Sequence, residues 1–390
     1  MTTLSDIIAP SALLTVDNTK TVTNKTISGA SNTITNLNAS NLSSGTVATA
    51  RLASGTASSS TYLRGDQTWA VAGLQYFNES ESTASPNNTV PVDALTVANS
   101  GTNVDVVLAA KGSGATLAQI PDNATTGGDK RGGYATDWSK FRDAGSTYVA
   151  SGDYSTVSGG RNVRATGDYS TVSGGFYNGA TGTYATVIGG YSNLNSSSTY
   201  AISGGYSSTA SGSSSVAIGH ACVADGFYSV SIGYRGDSKG RPSCFSFGGY
   251  NRGDSGHPFQ SCLMNVSAQT TDATPTYLSG YTTDAATYWN RLDLNSAVAF
   301  RITLIGHVTG AGDTKAWEFY GAVKMGASTA TCALVGAVTK NIIAADSGAS
   351  SWDADVVVNT STGAFTVQVT GAASTTIRWN ASIYTAESEF

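Results

Sequence analysis

A chain of 390 residues has room for two to four domains, and its composition narrows what they can be. Only 12% of residues are charged, against about 25% in ordinary domains, while 40% are hydrophobic and 45 are glycine; this excludes a solvated disordered tail and points to a turn-rich β protein. The formal net charge of −5 supplies no polyanion-binding face, which argues against nucleic acid as a partner.

CALVGAV at 332–338 is among the longest apolar runs, far short of the roughly 18 residues of a membrane-spanning helix, so no membrane insertion is expected. The opening MTTLSDIIAPSALL lacks a basic segment followed by a long apolar one, and no secretion signal is expected. Cys222, Cys244, Cys262 and Cys332 have no metal-ligand spacing and are expected to be free thiols of a chain made in a reducing cytosol.

In chain order, residues 1–75 are Ser/Thr/Asn-rich with sparse aliphatics (Ile27, Ile34, Leu37, Leu42, Val47). Residues 76–145 hold strand-like runs such as VDVVLAA (104–110), a Gly-rich linker TTGGDKRGG, and at 134–145 the one stretch that could form a short helix. Residues 146–250 repeat. GDYSTVSGG occurs letter for letter at 152–160 and 167–175, and Gly159, Gly174, Gly189, Gly204 and Gly219 are spaced fifteen apart. The step then shortens to fourteen, carrying Gly219 to Gly233 through SVAIGHACVADGFY (215–228) and SVSIGYRGDSKGRP (229–242); a degenerate seventh copy closes at Tyr250. After the turn-rich bridge NRGDSGHP (251–258), residues 251–390 alternate cleanly. Phe300, Ile302 and Leu304, then Phe365, Val367 and Val369, then Ile377, Trp379, Ala381 and Ile383 are each interleaved with polar residues, and NTSTG (359–363) reads as a hairpin turn. Trp289, Trp317, Trp352 and Trp379 lie here and none lies in the repeat, which predicts an antiparallel sandwich or jelly-roll-like domain.

A fourteen- or fifteen-residue period is too short for a helix pair and fits one coil of a parallel β-solenoid. Coils stack at about 4.8 Å, so seven make a rod of roughly 34 Å. Like residues then form ladders: Val157, Val172, Val187 and Ile202 an aliphatic one, Tyr154, Tyr169 and Tyr184 an aromatic one, with glycine columns where backbones turn or meet closely. Two or three buried apolar side chains per coil do not offset the ordering of fifteen residues, at about 1–2 kcal/mol each. Lateral association supplies the missing burial, and a threefold bundle is the simplest closed arrangement, so a homotrimer is expected.

Candidate chemistry is sparse. Arg-Gly-Asp at 64–66, 235–237 and 252–254 reads as turn chemistry, and His220, His257 and His307 are far apart without carboxylate or Cys partners, so no metal site and no cofactor is expected. Of five Glu, none lies between Glu81 and Glu318; Asp153, Asp168, Asp225 and Asp237 recur at repeat turns as N–H acceptors. Asp353 and Asp355, beside Trp352, fall on one strand face and are the best acid pair for glycan hydrolysis, although turn entry is the plainer reading. Tyr277, Tyr281, Tyr288 and Trp289 crowd a segment of weak alternation, as sugar-binding rings or as core. These seven residues are the receptor-contact candidates, no catalytic residue is assigned, and the chain is expected not to be an enzyme.

The SVAIG-type copies resemble the head repeats of trimeric autotransporter adhesins, which wind a left-handed parallel β-roll, and YSTVSGG…N is similar to the variant common in bacteriophage tail fibres. Residues 14–70 resemble the shafts of such fibres, and KAWEFYGAVK, SWDADVVVNTSTGAFTVQVTG and TTIRWNASIYTAE a terminal domain found in them. The resemblance implies an all-β homotrimeric fibre of the virion, assembled in the host cytoplasm. Its N-terminal region would attach to a baseplate or tail protein, its β-roll would be a spacer, and its C-terminal tip would contact a host surface polysaccharide or lipopolysaccharide. A tailspike-like depolymerase and a fragment of a bacterial trimeric surface adhesin are the alternatives.

Overall fold

The computed structural model describes residues 52, 54, 56–58, 61–65, 67–71, 77–82, 92–97, 103, 107–196, 199–249, 259–281, 289–310 and 312–389. The sparse aliphatics of 27–47, Tyr288 and the bridge 251–258 therefore lie outside the described residues. The chain divides into two units, 1–106 and 107–390. In the first, Thr61–Leu63 pairs antiparallel with Trp69–Val71, and Phe77–Ser82 with Val92–Val97. The second is all-β: a parallel solenoid followed by antiparallel sheets, with 3-10 turns at Thr329–Thr331 and Ser347–Ala349.

One solenoid face is a parallel ladder built from Thr116–Leu117, Thr136–Asp137, Thr156–Val157, Thr171–Val172, Thr186–Tyr191, Ile202–Tyr206, Val216–His220, Val230–Tyr234 and Cys244–Gly249. A second ladder runs through Arg164–Ala165, Gly179–Ala180, Leu194–Asn195, Thr209–Ala210 and Val223–Ala224. The short helix expected at 134–145 is absent. Thr136 instead pairs with Thr116 and Thr156, so the first coils span twenty residues. Their longer perimeter encloses a buried ionic group: Arg131 Nε donates to Asp137 Oδ2 at 2.7 Å, and Arg142 donates to Ser139 O.

The later coils are narrow, which dictates small side chains inside. Val157, Val172 and Val187 stack in register and are fully buried. Ile202 does not continue this ladder. Val187 pairs with Ser203, sixteen residues on, so one extra residue in that coil turns Ile202 outward beside Thr186. The buried column goes on through Ala217, Ser231 and Ser246. An interior amide ladder complements it: Asn178 Oδ1 accepts from Asn193 N at 2.9 Å, and Asn193 Nδ2 donates to the carbonyls of Gly189 and Gly205. The aromatic ladder is longer than expected. Tyr134, Tyr154, Tyr169, Tyr184 and Tyr200 stack with centroids 4.8–5.0 Å apart, each in the left-handed region at φ 56–61°. A left-handed non-glycine residue costs roughly 1–2 kcal/mol, which a stacked ring pair, worth about 0.5–1.5 kcal/mol, largely offsets.

The glycines form two columns, not one. Gly159, Gly174 and Gly189 take φ of 124–142°. Their neighbours Gly160, Gly175 and Gly190 lie so close to the next coil that a Cβ on Gly190 would sit 1.9 Å from Gly205 O. This second column passes through Gly205, Gly219 and Gly233, while Gly204 pairs with Ile218 and belongs to neither, because the register shifts back from sixteen to fifteen residues between Val187 and Gly190.

Cys244–Gly249 is the pivot strand. It pairs parallel with the last coil and antiparallel with Phe259–Thr270, so the sheet continues without a break through Ile377–Glu389, Ser296–Val308 and Thr314–Met325 to the edge strands Ala333–Leu334 and Thr339–Ala345. A smaller sheet packs on its inner face, with Ala364–Thr370 flanked by Asp353–Asn359 on one side and by Thr276–Tyr277 and Asn290–Arg291 on the other. The alternating apolar residues meet between the sheets: Phe300 lies 5.2 Å from Phe365, and Trp317 and Trp352 lie 5.8 and 5.7 Å from Trp379. Asn359 closes the 359–363 turn, accepting Gly363 N at 2.9 Å. The expectation of four free thiols is corrected. Cys244 and Cys262, inward-facing on adjacent strands with Cα atoms 6.6 Å apart, form a disulfide, while Cys222 and Cys332 are free and buried.

The glycine geometry yields a paired prediction. Gly190→Ala is expected to cost several kcal/mol, because backbone strain is joined by a clash that flat stacked coils cannot relieve. Gly159→Ala meets no atom within 4 Å and is expected to cost only the strain; chemical denaturation of the two variants checks the difference.

Candidate functional site

The structure does not gather the six described receptor-contact candidates into one place. Trp352 is 2% exposed and lies in the core against Trp379, and Trp289 is 4% exposed beneath Tyr277, so both read as packing, not contact. The large ring area that made them candidates is what draws them inward. Tyr288 lies outside the described residues.

Asp353, Asp355 and Tyr277 occupy the outer face of the smaller sheet, where Tyr277 and Asp355 flank Gln368 in register. Lys340 Nζ reaches both carboxylates, at 2.5 Å to Asp353 and 3.0 Å to Asp355. Burial raises the Asp353 pKa, but the Lys340 hydrogen bond and the Ala354 N–H outweigh it and leave the carboxyl below its ordinary value. A group held ionised in this way cannot protonate a leaving group at neutral pH.

Tyr281 goes elsewhere, to an open groove of about 690 Å³ on the outer face of the main sheet. Three neighbouring strands supply its floor: Ser267 and Gln269, Arg378 and Asn380, and Ile305 and His307. Strand register places Gln269, Arg378 and His307 in one row and Ser267, Asn380 and Ile305 in the next. Tyr281 forms a wall, its ring stacked on Phe227 of the solenoid at 5.3 Å. The His307 ring is pinned by Thr314 Oγ1 at 2.9 Å and Gly310 O at 3.1 Å. The sequence singled out His307 only as a histidine without ligand partners and did not make Arg378 or Asn380 a candidate. Alternation with Ile377, Trp379 and Ala381 marked Arg378 and Asn380 as outward-facing, but nothing local brings three distant strands together.

The densest charge cluster lies where the last coil meets the sandwich. Lys239 Nζ contacts Glu389, Glu387 at 3.1 Å and Asp293 at 2.8 Å. Arg241 Nη1 donates to Glu387 Oε1 and Asn290 Oδ1, each at 2.6 Å, and Gln260 Nε2 to Glu387 Oε2 at 2.7 Å. Burial works to raise the Glu387 pKa, but Arg241 and Lys239 bring it to about 2. Burial, with the Asp293 carboxylate acting on it, pushes Glu389 up to about 7, and burial lifts Asp237 to about 6. With its carboxylates held by Lys239, Arg241, Gln260 or a backbone N–H, the cluster ties the terminal strand to the solenoid. The repeat-turn aspartates do accept N–H groups: Asp153 from Gly133, Asp168 from Asp153, Asp237 from Lys239. His220 stacks between Tyr206 and Tyr234, and no group of His, Cys, Asp or Glu among the described residues is arranged to hold a metal ion.

No protein-family model and no curated protein matches the chain. Among solved structures, it is similar to the tailspike protein gp49 of Acinetobacter baumannii bacteriophage Fri1, described as a capsular polysaccharide depolymerase, at 13% identity over 70% of this chain and a TM-score of 0.21. It is also similar to the tailspike protein of Acinetobacter phage vB_ApiP_P1, at 10% identity over 66% and a TM-score of 0.15. The chain spans 44% and 54% of the lengths of those two proteins.

The ion cluster sets a pH dependence. Asp237 binds its proton more tightly folded than unfolded, so its effect on stability worsens as pH rises from about 4 through about 6. Glu387 acts in the opposite sense, and its contribution is lost as pH falls through 4.5 towards 2. Asp237→Asn keeps the Lys239 N–H acceptor and is expected to flatten the decline between pH 4 and 6, by at most about 3 kcal/mol, in thermal melts recorded across that range.

Proposed function

We propose that this chain is a receptor-binding fibre protein of a bacteriophage tail, non-enzymatic, which attaches the virion to a bacterial surface polysaccharide or lipopolysaccharide through its C-terminal sandwich. The single observation that carries this reading is the open groove of amide, hydroxyl, Arg and Tyr side chains, set on a sheet that is hydrogen-bonded strand by strand into the solenoid. Few convergent polar groups beside an aromatic wall are the chemistry that recognises a sugar ring and its hydroxyls. The resemblance of the repeats and of the C-terminal segments to phage fibres supports it, with the solenoid as spacer and the N-terminal region docking on a baseplate or tail protein. On this reading Tyr281 is the receptor contact among the sequence candidates, with Tyr277, Asp353 and Asp355 as a secondary surface.

The homotrimer belongs to the same proposal. Ile202, Ile218, Phe245 and Phe247 lie exposed along one solenoid face, and in register with Phe245 the sheet continues through Leu263 to exposed Tyr384. An apolar face of this extent in a chain with narrow coils is suited to burial against copies of itself, and three tips per fibre give avidity to weak individual sites. Sedimentation is expected to show three times the chain mass, with Phe247→Asp shifting it towards monomer; a wild-type monomer at micromolar concentration would refute the assembly.

Depolymerisation is the second reading, favoured only by the Asp353–Asp355 pair on one exposed strand face. An array of bacterial surface polysaccharides is expected to capture the labelled protein, and the captured polysaccharide is expected to keep its chain length on sizing after incubation. Shortened chains would replace the binding reading with the enzymatic one, and a blank array would remove both.

A further inference from the structure

The groove is cationic in a chain that is acidic overall. The chain carries −5, yet the groove lining includes Arg378 and neither Asp nor Glu. Arg378 occupies an outward position on the central strand of three, fixed on both sides by paired neighbours, so its backbone cannot drift. Its guanidinium makes no hydrogen bond or ion pair among the described residues, in contrast to Arg301, which donates to Glu318 on the same face. A guanidinium presents five N–H donors in a planar fork that matches a carboxylate or a phosphate with two parallel hydrogen bonds.

The other lining groups say what carries that anion. Gln269 and Asn380 stand beside Arg378 with amide donors and acceptors suited to hydroxyls. Tyr281 and Ile305 supply the apolar surface that the C–H face of a pyranose covers. Both ring nitrogens of His307 are engaged by Thr314 and Gly310, so it bounds the groove and does not compete for the anion. A volume of about 690 Å³ is that of a small-ligand cleft, typically about 300–1,000 Å³.

We propose that the groove is selective for an acidic sugar unit, with the oxyanion on Arg378, the ring against Tyr281 and Ile305, and hydroxyls on Gln269 and Asn380. This rests on the glycan-binding reading above and narrows it to sugars bearing a carboxylate or a phosphate, as found in uronic-acid polysaccharides or in phosphorylated lipopolysaccharide cores.

The test is a ligand-observed NMR titration of the full-length protein with three probes: methyl glucuronide, glucose 6-phosphate and methyl glucoside. At least one anionic probe is expected to bind ten times or more tighter than the neutral one, and the two anionic arms separate the carboxylate from the phosphate source. Arg378→Gln is expected to abolish the preference at an unchanged melting temperature, and Arg378→Lys to restore part of it. Equal affinity for the neutral and anionic probes, a preference that survives in Arg378→Gln, or no binding of any probe at its solubility limit overturns the inference. The polysaccharide array keeps the two readings apart: capture there together with any of these failures leaves the receptor-binding function standing and removes only the acidic-sugar selectivity.

Discussion

The structure depends on one repeated interaction, the parallel backbone pairing between successive coils. Each coil donates and accepts along its whole length, as in the bonds from Thr156 N to Ser170 O and from Thr171 N to Ala185 O. Because the pairing fixes the coil spacing at about 4.8 Å, every side chain must tolerate its own kind directly above and below. Valine, alanine, serine and asparagine satisfy this inside, stacked tyrosines satisfy it outside, and glycine satisfies it where the backbones themselves approach. The repetition of GDYSTVSGG follows from that constraint.

The same pairing hands the solenoid on to the sandwich. Cys244–Gly249 uses one edge for parallel and the other for antiparallel bonds, so the groove-bearing strands are extensions of the solenoid sheet and not a domain on a tether. The Lys239–Arg241–Glu387 cluster reinforces this junction. Breaking a buried pair leaves an unpaired charge behind, so the cluster serves the geometry of the joint more than its net stability.

Legibility in the sequence followed the period. From Val157 to Val187 the step is a constant fifteen, and the ladder could be read directly. A sixteen-residue step from Val187 to Ser203 then displaced Ile202 by one position, enough to turn a side chain from the interior to solvent, and the register shift that restores fifteen by Gly190 left Gly204 out of the glycine column. The twenty-residue coils before Thr156 hid their membership in the stack, because a loop that encloses Arg131, Asp137 and Arg142 interrupts the repeat with charge. In the sandwich, alternation told which residues of each strand face inward, and Ile302, Trp379 and Val367 are there. It could not tell which aromatic residues outside the alternating runs would be buried, and so Trp289 and Trp352 entered the candidate list.

By itself the sequence determined the architecture: a short exact period permits stacked coils and little else, and period-2 alternation with four tryptophans requires a two-sheet core. Only the tertiary structure decided where the groove lies. Gln269, Arg378 and His307 are more than a hundred residues apart from first to last, and each is an ordinary outward-facing residue of its own strand. They become neighbours through the cross-strand register of Phe259–Thr270, Ile377–Glu389 and Ser296–Val308, a non-local pairing that no window of the chain contains.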